Sequence, residues 1–121
     1  MRKVMLIDAD GLERRLAGHL RRRELPDLFL YTGADGARQW LELDRCEAFD
    51  IASGLTDLLG RSAPRIAARA ARGADLLSLG VGEGAMERML LEWLAPRGTR
   101  RYVAADVSEP LVDRALALVE D

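Results

Sequence analysis

Residues 76–84 read LLSLGVGEG, and residues 102–108 answer with YVAADVS. A short apolar run breaks into Gly80, Gly82 and Gly84, a helix-like segment follows, and a second apolar run ends on Asp106. That order predicts a βαβ unit able to receive a nucleotide-like cofactor. Glycines at the turn let the backbone approach the ligand, and an acid closing the second strand accepts ribose hydroxyls. Gly80, Gly82, Gly84 and Asp106 are therefore the candidate cofactor-binding residues.

The flanking segments fit this frame. Between the two runs, residues 85–94 carry Met86, Met89, Leu90 and Trp93 at three- and four-residue spacing, an amphipathic crossover helix whose Met and Trp belong to a core. Residues 75–79 and 101–105 read as strands, the first a continuous apolar run of the kind buried on both faces of a parallel sheet. Residues 96–99 form a turn, and Ser108 is placed to cap a last helix over 109–120.

Ahead of this unit the pattern is mostly helical. Residues 3–8 read as a strand. A helix over 11–25 follows, capped by Asp10, with Leu12, Leu16 and Leu20 on one face and arginines on the other. Pro26 ends it, residues 29–31 read as a short extended piece, and residues 37–43 form a helix carrying Trp40. Asp50 caps a helix over 51–59 that Gly60 stops. Ser62 then caps another, with Pro64 in its first turn. The fold class is thus α/β: a helical N-terminal region over 1–73, then the first βαβα part of a Rossmann-like domain over 74–121. Such sheets normally hold more strands than these, so the chain is expected to be truncated, with an uncovered sheet edge open to self-association.

Composition narrows the remaining classes. The 121 residues suffice for one domain. With 49% apolar and 31% charged residues, the balance is that of a folded soluble chain rather than a disordered or membrane one. No apolar run approaches the roughly 20 residues of a bilayer span. Asp8, Asp10 and Glu13 interrupt the N-terminus before a signal-peptide core could form, so a cytoplasmic location is expected. Cys46 is the single cysteine, which excludes an internal disulfide or a zinc cluster, and Asp8 and Asp10 lack partners suited to a metal. Net charge is −2, and Arg14, Arg15 and Arg21–Arg23 lack the interleaved aromatics of a nucleic-acid surface. They read as a solvated helix face, and His19 as a surface or boundary residue.

Two cofactor classes meet the glycine pattern. Gly80, Gly82 and Ala85 satisfy the dinucleotide form G-x-G-x-x-A, which would make the chain part of an oxidoreductase. Gly80, Gly82 and Gly84 satisfy G-x-G-x-G, which resembles class I methyltransferases. Asp106-Val-Ser108, followed by Leu111 and Ala115, is similar to the methyltransferase pattern of acid, apolar residue, serine and apolar helix, and helices ahead of the first strand are common there. That resemblance implies S-adenosylmethionine as cofactor.

The order of segments resembles one family in particular, the histidine-specific S-adenosylmethionine-dependent methyltransferases. Their best-known member trimethylates the α-amine of histidine on the way to ergothioneine. Residues 25–31, LPDLFLY, and the turn and helix GADGARQW over 33–40 are similar to the family's segment ahead of the cofactor domain. Gly80-Val-Gly82 and Asp106-Val-Ser108 match its two cofactor motifs. The resemblance covers only the N-terminal part of a family member, and it implies that Tyr31 contributes to the substrate pocket. Three positions depart from it. Ala48-Phe49-Asp50-Ile51 replaces an aromatic pair with Pro-Thr-Arg, Met86-Glu87 stands where a lysine is frequent, and Ser78 stands where an acid is frequent.

Two functions follow. One is methyl transfer to a nitrogen of an amino acid or other small molecule, with acceptor residues expected beyond Asp121 and hence little turnover by this chain alone. The other is a non-catalytic Rossmann-like module that docks on a partner.

Overall fold

The computed structural model describes residues 9–46 and 51–120. The strand read over 3–8, and Ala48-Phe49-Asp50, lie outside them. The elements are α1 (Ala9–Arg21), α2 (Leu28–Tyr31), α3 (Gly33–Asp44), α4 (Ile51–Arg69), β1 (Leu76–Leu79), α5 (Ala85–Leu94), β2 (Tyr102–Ala105) and α6 (Glu109–Glu120). Two compact units divide the chain, the first ending at Leu30 and the second beginning at Tyr31.

In the first unit, α1 starts at Ala9, so Asp10 lies in its first turn instead of capping it, and the helix stops at Arg21. In the last turn of α1, His19 lies 3.0 Å from Glu24 and packs edge-on against Phe29. The stretch read as extended over 29–31 is instead the single helical turn α2.

The second unit is a mixed α/β assembly. β1 and β2 pair in parallel from Leu76↔Tyr102 to Leu79↔Ala105, with α5 as the crossover. Their lower ends are tied by an ion pair, Arg101 Nη2 to Asp75 Oδ2 at 2.6 Å. α5 and α6 occupy the spans read from their periodicity. α3 starts earlier than read, at Gly33.

Two expectations are corrected here. Gly60 does not stop a helix and Ser62 does not begin one, because α4 runs unbroken from Ile51 to Arg69 with Pro64 inside it. Long-range packing holds it together. Ala63 and Ala67 are buried, and a Cβ on Gly60 would stand 3.3 Å from Met89 Sδ of α5, so the glycine serves close helix contact. β1 is not buried on both faces either. Leu76 and Ser78 are half-buried, but Leu77 is 61% and Leu79 76% exposed, and Val103 of β2 lies open on the same side.

Candidate functional site

The parallel register brings the ends of β1 and β2 level, so the turn after Leu79 emerges beside Asp106. Gly80 N–H and Val81 N–H both donate to the Ala105 carbonyl, at 2.8 and 3.3 Å. Gly80, Gly82 and Gly84 all adopt positive φ, at 69°, 54° and 86°. Side-chain-bearing residues enter that region only at a cost, which is why the turn is written in glycine.

Asp106 closes the arrangement. Its Oδ2 accepts the Gly82 N–H at 3.1 Å, and its Oδ1 accepts the Ser108 N–H at 2.9 Å. The second bond reaches two residues along the chain, the turn habit of aspartate, and gives Asp-Val-Ser its physical meaning. Ser108 precedes α6, but its hydroxyl is buried without a hydrogen-bond partner, so it makes no cap through that group. An ionised carboxylate can accept about four hydrogen bonds. Asp106 therefore keeps acceptor capacity for a ligand.

A cavity of about 490 Å³ opens here, walled by Tyr31, Trp40, Leu79, Gly80, Gly82 and Asp106 among others. Its size is that of an ordinary small-molecule site. Tyr31 and Trp40 meet edge-to-face, with centroids 5.4 Å apart. A Cβ on Gly82 would come within 3.5 Å of Trp40 Nε1, whereas one on Gly80 would meet nothing within 4 Å, so the space above Gly80 is open.

Gly80, Gly82, Asp106 and Tyr31 thus meet at one cavity. Gly84 does not line it. A Cβ there would fall 2.7 Å from the Ala115 Cα, so Gly84 lets α6 pack against the turn. Trp40 is a wall residue that the sequence reading placed only on a helix. Nothing in its spacing marks it, since a tryptophan on an amphipathic helix is a core residue by default.

A second polar group lies on the covered side of the sheet. The Ser78 hydroxyl donates to Glu87 Oε1. Glu87 Oε2 and the Tyr102 hydroxyl are buried with no hydrogen-bond partner. Burial, and then the nearby charge of Glu87, push the Tyr102 hydroxyl up to about 12. In the turn itself, Glu83 faces Arg114 Nε at 3.4 Å and Arg45 Nη2 at 3.8 Å. Among the described residues no cluster could hold a metal, and no helix is long and apolar enough to cross a membrane.

The site fits an adenosyl cofactor in cavity size, in the open approach to the turn, and in the acceptor capacity of Asp106. A glycine turn bonded to a strand-end acid over a parallel βαβ pair is consistent with a Rossmann-like fold. The family described as histidine-specific methyltransferase, SAM-dependent, matches residues 9–121, and the chain belongs to it. S-adenosylmethionine is the cofactor of that family and methyl transfer its chemistry. Neither a curated protein nor a solved structure matches the chain.

Proposed function

We propose that the chain binds S-adenosylmethionine through the turn at Gly80 and Gly82 and through Asp106, within the cofactor-binding part at 74–121, and serves methylation of a small-molecule nitrogen. The acceptor best supported is an amino-acid amine, that of histidine by the family's description. The observation carrying this reading is the 3.1 Å bond from Gly82 N–H to Asp106, which joins the turn and the strand-end acid at one cavity.

When bound, S-adenosylmethionine supplies an electrophilic methyl group on a sulfonium centre. The chain's own contribution is binding and alignment. Asp106 accepts ribose hydroxyls as a charged acceptor, stronger than a neutral one. Gly80 leaves room where a Cβ would obstruct the ligand. Tyr31 and Trp40 present aromatic surface, which excludes water and favours a nearby cation. A neutral amine needs no general base to attack, so proximity and orientation supply most of the rate.

Calorimetric titration with S-adenosylmethionine and S-adenosylhomocysteine, with NAD as control, tests the reading. Both adenosyl ligands bind, and Asp106→Ala weakens them by about 10- to 100-fold, the loss of a charged hydrogen-bond acceptor. Binding of NAD alone would move the chain to the oxidoreductases. No binding by a monodisperse protein would leave the docking-module reading. The open face formed by Leu77, Leu79 and Val103 supports self-association as an additional property.

A further inference from the structure

Three carboxylates surround the glycine turn, and they are engaged differently. Asp106 accepts two backbone amides and lines the cavity. Glu83 faces two arginines. Of the three, Glu87 alone keeps a buried oxygen without a donor. An unpaired buried carboxylate oxygen is expensive to maintain.

Its position gives that oxygen a use. Ser78, two residues before Gly80, stands where the family resemblance leads one to expect an acid. Glu87, the third residue of α5, reaches back across the turn and accepts the Ser78 hydroxyl. The carboxylate lacking on the strand is thereby delivered to the same place from the helix.

We propose that Glu87, held by Ser78, is the counter-charge for the cationic ammonium at the amino-acid end of the cofactor. This inference rests on the proposed binding of S-adenosylmethionine at the cavity. An ammonium brings three donors and no acceptor, and a carboxylate is its strongest partner. The two acids then divide the ligand. Asp106, just past β2, takes the ribose, and Glu87 of α5, bonded to Ser78 of the neighbouring strand β1, takes the amine. Gly80, two residues on from Ser78, lines the cavity and carries no side chain. The Tyr102 phenol near Glu87 is neutral near physiological pH and adds no second negative charge.

A purely structural role for Glu87, an acid near a helix N-terminus, predicts a different pattern of loss. Calorimetry on wild type and Glu87→Gln separates the two, using S-adenosylhomocysteine and 5′-methylthioadenosine, which lacks the amino-acid end. Glu87→Gln is expected to weaken S-adenosylhomocysteine about 10-fold or more and to leave methylthioadenosine affinity unchanged, which also reports that the variant is folded. Equal affinity of wild type and variant for S-adenosylhomocysteine overturns the proposal. Parallel loss of both ligands overturns it in favour of a structural role. A wild-type chain that binds neither ligand overturns the cofactor reading itself, and this inference with it.

Discussion

Asp106 and Tyr102 sit on the same strand or just past it, yet their polar atoms live in opposite conditions. Both Asp106 oxygens receive backbone amides, whereas the Tyr102 hydroxyl is buried with no partner. Leaving a polar atom unsatisfied costs about 1–3 kcal/mol, and replacing it by an apolar group of the same shape can be neutral or better. Tyr102→Phe should therefore melt no lower than wild type near neutral pH. Its pH dependence follows from the hydroxyl's value of about 12 in the folded chain against the ordinary 10.0. The unfolded chain gives up this proton first. The stability is thus fully present below about pH 10 and drains away as the pH climbs towards 12. Thermal melts at about pH 8 and about pH 11 should show a smaller alkaline drop for the phenylalanine variant than for wild type. An equal drop would mean that this hydroxyl is not the group responsible.

α4 is the element in which local signals and packing disagree most. Pro64 has no N–H, so the Gly60 carbonyl one turn earlier receives no helical bond from it, and its ring crowds that same carbonyl. The helix persists because Ala63 and Ala67 are buried and Gly60 fits against Met89. Pro64→Ala should restore the missing bond and raise the urea midpoint, by about 1–3 kcal/mol of stability. A lowered midpoint would show that the helix depends on its proline.

The same contrast explains what could be read in advance. α5 and α6 were legible end to end, because their apolar spacing is regular and Gly84 and Ser108 mark their starts. The turn glycines were legible because a left-handed turn restricts which residues can stand there, and Asp106 because it is the acid that ends the second apolar run. Gly60 and Pro64 misled because their stop signals are local and the contacts overriding them are distant in sequence. Trp40 and Glu87 were missed as site residues for a related reason. Each rides a helix of ordinary periodicity and gains its meaning only by reaching another element.

Across the whole molecule, the two faces of the sheet are unequal. One carries Ser78 and Tyr102 into half-buried surroundings, and the other turns Leu77, Leu79 and Val103 towards solvent. Apolar surface gathered on the two-stranded sheet of the described residues favours association between chains. Sedimentation of the wild-type chain should therefore show a mass that rises with concentration above 13.4 kDa. Leu77→Glu, placing a charge at the centre of that face, should return the monomer mass. A concentration-independent monomer in both cases would show that the open leucines are tolerated singly.

The contact between Gly84 and Ala115 reaches beyond either residue. A methyl group would not fit between turn and helix, so the two are in direct contact there. A ligand that steadies the turn at Gly80 should therefore slow amide exchange in α6, as hydrogen exchange with and without S-adenosylhomocysteine would show.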